Sequence, residues 1–389
     1  MDRKGQIISL ILLFITVGIL IYSEVSGSNL HLSFINGNQP TLHLEKKWLD
    51  IDTGSNPIFN VYYNDLIQCS SDGIKRISQD GNEIWNQTYS MVSPRLVVNE
   101  PYIVVAEEGG KKAYVLNDKG LLYEKTVEEP IIYFSISSTG YLSIIGETKD
   151  GHKIKAYDSK GNDIGIDRTT YIEDAGYPLC AIVSNDGNTM PISYLTPTNN
   201  KLKSNLIFLD LGDEGIFKKD LIDFGFKKED TIIPTLIYLK NNNLVAIGDD
   251  RIIWIDENKK IKEEILNNRI QSIPWNIESK RNLSSYIVLA LAEAIPGKQG
   301  KDEGSIIFYS MKGEKEYVFD AKGSVTYLYG DNDIVVVGLD RTFYGLDTKG
   351  KELFKYTALK DVVDILPLKN GKKLALISRD SVDLMEIKR

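Results

Sequence analysis

Histidine, cysteine and paired carboxylates are the raw material of most hydrolytic, redox and metal centres, and this sequence is short of the first two. Its 389 residues hold three histidines and two cysteines. His31 and His43 fall near the N-terminus, and His152 stands alone beside a Gly turn. A tetrahedral metal site or a Ser-His-Asp relay needs several partners that converge. His152 has none nearby in sequence and reads as a turn residue. Cys69 and Cys180 sit inside apolar runs (LIQCSS and YPLCAIV) and read as buried free thiols, with a disulfide between them as the second reading. No Gly-rich loop closing on Lys-Ser/Thr and no Gly-x-Ser-x-Gly elbow occurs. Carboxylates are plentiful, and the densest groups are Asp249-Asp250 and Asp331-Asn332-Asp333. Both fall at turns, where Asp and Asn bond their own backbone, and neither has the spacing of a calcium loop. They read as solvated turn residues. The expectation is a chain with no catalytic, cofactor-binding or metal-binding residue.

Bulk properties narrow the partners. A formal net charge of −8 and a pI near 5.2, with no basic stripe, argue against nucleic acid. Residues 5–23 are 19 uncharged, mostly apolar residues, enough to cross a bilayer as a helix. Arg3 and Lys4 precede them, and no Lys or Arg follows until Lys46. That asymmetry predicts a single-pass anchor with a cytoplasmic tip (residues 1–23) and the rest outside the cytoplasm. A cleavable signal peptide is the competing reading. Residues 24–41 are polar and turn-rich and read as a tether of at most about 60 Å.

From about residue 55 onward the chain repeats. Apolar run, turn, apolar run, Asp-rich turn, aromatic-rich run, Gly turn and short charged run recur eight times. Four short strands per period predict a propeller blade. The turn between first and second strands falls near Asn64, Asn99, Gly140, Gly187, Asn242, Arg281, Asn332 and Gly371. The turn between third and fourth strands falls near Gly81, Gly120, Gly161, Gly215, Lys259, Gly313 and Gly350, one fewer. The last cycle stops at Arg389 before a fourth strand can form, while residues 42–52 form a lone strand-like run at the other end. Pairing the two ends supplies the missing strand and removes an exposed edge. The result is an all-β, eight-bladed β-propeller spanning 42–389, with a seven-bladed ring as the alternative. Second strands such as YIVVA at 102–106 and IVVVG at 334–338 are continuously apolar, as strands buried on both faces should be.

The Gly turns carry a further pattern. Gly81 precedes Trp85, Gly313 precedes Tyr317 and Gly350 precedes Phe354 at one spacing, whereas Gly120 precedes Tyr123 one residue early. This resembles the turns of PQQ-like (quinoprotein-type) propellers, in which the aromatic docks one blade against the next. The whole layout resembles a clostridial family of membrane-anchored propellers of this type, of uncatalogued function. The resemblance implies architecture and no activity. A true quinoprotein dehydrogenase would imply a quinone over a Trp floor, a disulfide between adjacent cysteines and a nearby calcium. Cys69 and Cys180 are too far apart in sequence for that pair. Trp48, Trp85, Trp254 and Trp275 read as blade-docking or packed strand residues, so no PQQ is expected.

Loops predict where a partner would bind. Segments 195–204 and 294–304 are long where other cycles have tight turns, and 167–177 and 223–231 read as long inter-blade links. These bring Tyr171, Tyr177, Phe226, Lys201, Lys203, Lys227, Lys228, Lys298 and Lys301 to one sector of one face. On an acidic protein, a local Lys group with aromatics suits a protein partner. The expected function is a non-enzymatic, membrane-anchored scaffold for envelope proteins. A receptor for a small molecule or wall glycan, using the axial cavity, is the alternative.

Overall fold

Eight four-strand antiparallel meanders follow one another along the chain and form the blades of a β-propeller. The structure is a computed structural model that describes residues 40–388 other than 53, 55, 199–200, 213–221, 271–274, 279–284, 300–302 and 332. The expected anchor at 5–23, and the tether up to residue 39, lie outside the described residues. Among those described, no helix is long and apolar enough to cross a membrane.

Blades one to seven span residues 58–88, 94–126, 131–171, 177–229, 235–265, 268–320 and 327–357. Blade six has its inner strand in two pieces, Asn268–Ile270 and Trp275–Glu278, both paired to Ser285–Ala294. Blade eight takes three strands from the C-terminus and its fourth, Thr41–Asp50, from the N-terminus. That strand pairs antiparallel with Ser381–Lys388, from Thr41 opposite Lys388 to Asp50 opposite Ser381, through two register shifts. Eight blades closed by the two chain ends are therefore present, and the seven-bladed alternative is set aside.

The apolar second strands show why the ring holds. In Tyr102–Glu107, Ile103 and Val105 pack into a cluster shared with blade one. Val104 and Ala106 pack into the cluster shared with blade three. Successive side chains on a strand face opposite ways, so a strand buried on both sides must be apolar throughout. The eight hydrophobic clusters each lie between two successive blades.

Aromatics dock blade to blade as the Gly-turn pattern implies. A Cβ on Gly161 would meet the Tyr123 ring at 2.8 Å, and one on Gly313 would meet the Trp254 ring at 2.5 Å. Both glycines also have positive φ, 81° and 72°, so a turn residue without a side chain is required twice over. Phe354 covers Gly345 of its own blade and joins the buried cluster between blades seven and eight. At the seam, Trp48 is buried and donates Nε1–H to the carbonyl of Ser78 at 2.7 Å, tying blade eight to blade one.

Three of the expected loops are strands. Thr189–Thr198 and Lys201–Asp210 stay paired out to Thr198 opposite Lys201, so 195–198 and 201–204 are strand ends. Ile222–Glu229 and Asp163–Tyr171 are outermost strands, the latter followed by a one-turn helix, Ile172–Ala175. Outermost strands are half solvated and alternate in burial, which lets charged and Gly residues enter them. Such residues had signalled loop.

Candidate interaction face and axial cavity

The meander gives the ring two different faces. One carries the turns between first and second and between third and fourth strands, and is called here the turn face. The other, the link face, carries the second-to-third turns and the inter-blade links. Among the described residues, every exposed large apolar side chain lies on the link face or along an outermost strand.

Two of these stand out. Val92 and Leu359 are each 93% exposed, in the links from blade one to two and from blade seven to eight. The Val92 backbone is held directly, and Leu359 lies between two residues that are tied down. Glu107 Oε1 accepts the Val92 N–H at 2.5 Å and that of Ser93 at 3.1 Å, while Met91 N bonds the Ser71 carbonyl. Beside Leu359, Ala358 N bonds the Arg341 carbonyl, and Lys360 Nζ donates to Ser381 and Asp383, both at 2.8 Å. Tyr171, Ile172, Tyr177 and Leu202 are exposed on the same face at blades three and four. Sequence reasoning missed Val92 and Leu359. Met91-Val92 and Ala358-Leu359 are each one buried and one exposed residue, and composition does not say which.

The expected lysines are on this side of the ring but mostly matched by carboxylates. Lys201 Nζ lies 2.6 Å from Asp230, and Lys203 stands opposite Glu229. Lys298 reaches Asp250 at 3.5 Å and donates to the Leu266 carbonyl. Lys228 pairs with Glu263, which also takes Arg251 at 3.0 Å. Lys227 is exposed, Phe226 is half-buried beside Phe224, and Lys301 lies outside the described residues. Tyr171 and Tyr177 are thus exposed on the same face as lysines that, among the described residues, are mostly paired with carboxylates.

Two readings need correction here. Asp250 is not a solvated turn residue: its side chain is 13% exposed and bonds Arg251 Nε at 2.7 Å and Thr231 at 3.0 Å. Burial works against its ionisation, yet Arg251 and Thr231 hold its carboxyl below the usual range. His152 is a buried strand residue with its ring 4.6 Å from Tyr177, edge to face. Burial lowers its pKa, opposed by Glu147. Its Nδ1 has no hydrogen-bond partner among the described residues. Cys69 and Cys180 are buried and free, as expected.

A cavity of about 440 Å³ opens along the axis at the turn face. Its lining comes from the inner strands and first turns of six blades, with Lys369 of blade eight. Among the described lining residues, Glu100, Asp331, Lys240 and Lys369 carry charge. Lys369 Nζ lies 2.6 Å from Glu100 and 3.7 Å from the Tyr63 ring centre. Deeper in, Tyr329 is held protonated by burial and by the carboxylates of Asp331, Asp364 and Glu100. Asp364, at the blade-eight inner strand, has its pKa pushed up to about 6 by burial, with Tyr327 bonding it. Among the described residues no group of three or more His, Cys, Asp or Glu is placed to hold a metal ion.

The model of DUF5711, a family of unknown function, matches residues 43–387. The chain belongs to that family. No curated protein matches the chain. Among solved structures, this DUF5711 chain is similar to BamB from Moraxella catarrhalis, at 13% identity and a TM-score of 0.52, over 90% of this chain and 98% of that one. AztD from Citrobacter koseri in its apo form shows 14% identity and a TM-score of 0.49, over 78% and 86%. At such identities the likeness concerns fold alone.

Proposed function

We propose that this chain is a non-enzymatic, membrane-anchored extracytoplasmic scaffold that docks an envelope protein on its link face. The observation that carries the reading is the pair Val92 and Leu359, apolar and 93% exposed, the first with its backbone N–H bound by Glu107 and the second between the anchored Ala358 and Lys360. An apolar side chain fixed in water costs solvation without an ordering gain, and such groups suit the centre of a protein interface. Tyr171 and Tyr177 add aromatic area, and the paired lysines form a polar border. The apolar run at 5–23 and the lysines placed only before it support the anchor and its orientation.

The test is capture of partners by the full chain from its own membranes, compared with a Val92→Lys, Leu359→Lys double variant. A specific protein lost from the variant supports the reading. An unchanged capture profile removes the link face as the docking site. Charge reversal at Lys201, Lys203, Lys298 and Lys301 tests the polar border separately.

A further inference from the structure

We propose that His152 is an acid-sensitive latch for the link that joins blade three to blade four. The latch stands on packing alone; its use, release of a docked protein in acid, rests on the link-face reading above.

The link is lightly built. Asp163–Tyr171 runs into a one-turn helix, Ile172–Ala175, that buries none of its four residues. Gly176, with φ 88°, then turns the chain into the inner strand of blade four, Tyr177–Ala181. Gly176 N–H bonds the Ile172 carbonyl at 3.0 Å, and Thr196 Oγ1 bonds that of Ala175 at 3.3 Å. A segment with so little buried apolar surface opens at low cost unless a side chain pins it. The pin here is the His152 ring, 1% exposed and edge-on to Tyr177 with ring centres 4.6 Å apart.

Protonation decides whether the pin can stay. Nδ1 has no hydrogen-bond partner among the described residues. A neutral imidazole leaves that nitrogen bare as an acceptor. An imidazolium carries an N–H on both nitrogens and a full charge, and burying it unpaired costs far more.

The surrounding charges offer an exit. Strand pairing sets Glu147, His152 and Thr170 side by side on one face of the blade-three sheet. Arg168 lies further along that face, beside Tyr194 of blade four, and its charge opposes a second cation. Lys149 and Asp150 sit in the adjoining turn, and Glu173 and Asp174 on the helix. Glu147 is the charge that favours the imidazolium, and burial outweighs it. Glu147 itself is exposed. The ring therefore has two places: neutral beneath Tyr177, or charged and turned outward to Glu147 in water. Taking the second leaves Tyr177 and the helix without support. Burial lowers the imidazole pKa, so the packed form holds above the ordinary value of about 6.5 and loses ground as pH falls below it.

The test is hydrogen exchange of the full chain at about pH 7.5 and about pH 5, corrected for the intrinsic pH dependence of amide exchange. Amides of residues 170–177 should exchange about tenfold faster or more in acid, while those of Tyr102–Glu107 in blade two keep their protection. The His152 Cε1–H resonance should shift over the same pH range. His152→Phe keeps an edge-on ring that takes no proton and should abolish the acid response; His152→Gln serves if it fails to fold. Glu147→Gln removes the outward acceptor and should move the response to lower pH. The proposal is overturned by protection of 170–177 that does not change with pH, by an acid response retained in a folded His152 variant, or by protection lost equally in all blades. Partner capture is scored separately: exchange that responds to acid while capture does not removes the use and keeps the latch.

Discussion

The two faces of the ring are made by the same strands and differ in almost everything else. On the turn face, tight Gly, Asn and Asp turns surround a polar cavity and no large apolar side chain is exposed among the described residues. On the link face, the chain must travel from the outermost strand of one blade to the innermost of the next. Those longer passages hold Val92, Leu359, Tyr171 and Ile172 in water. The lesson is geometric. Two-residue turns are filled by residues that can adopt turn dihedrals, whereas links are long enough to carry side chains chosen for something besides closure.

The largest break in this comparison is to open the ring, which removes both faces at once. Trp48→Ala deletes a buried indole at the blade eight–one seam and should cost about 3–5 kcal/mol, read by chemical denaturation. Partner capture should fall with it. A variant that kept capture while losing the seam would show that the link face does not depend on closure.

Next in size is Asp364, which sits between the faces on an inner strand. Its pKa is about 6 in the fold, above the ordinary carboxyl value, so the folded state holds a proton that the unfolded chain has released between about pH 4 and 6. Stability then falls as pH rises through that window and stays lower above it. Asp364→Asn should therefore be more stable than the parent by about 1–3 kcal/mol at pH 7, with the difference closing below about pH 4. A gap independent of pH would show that Asp364 is not buried as a titrating group.

A smaller effect sharpens the contrast directly. Val92→Lys with Leu359→Lys should weaken partner capture at least about tenfold while changing stability by less than about 0.5 kcal/mol, since neither side chain packs in the core. Smallest of all, Lys201→Glu faces Asp230 across an exposed, solvent-screened pair and should leave the denaturation midpoint essentially unchanged. A large loss of partner capture in it would move the centre of the docking site toward blade four.

Much of the fold was legible before any coordinate. The missing fourth strand of the last cycle and the stray run around Trp48 foretold their pairing, because an unpaired strand edge and an unmatched strand have one mutual remedy. The Gly-to-aromatic spacing foretold blade docking at Tyr317 and Trp85, whose ring lies against Gly120. The sites were less legible. Segment 223–231 looked like a link because an outermost strand needs only one apolar face. His152 looked like a turn residue because the ring that buries it, Tyr177, belongs to the next blade. The described lysines of the expected sector lie toward the link face, but Asp230, Asp250 and Glu263 were not seen to answer them.

Strand alternation and turn chemistry are local properties of short segments, and their recurrence along the chain sufficed to determine eight blades and the way they close. Neighbourhood across the ring is not local. Tyr329 meets Asn60, and Lys369 meets Glu100, across 269 residues of chain in each case. No pattern along the sequence encodes those meetings, so only the closed ring decided which polar groups share the axis, which carboxylates are neutralised, and which apolar side chains are left in water.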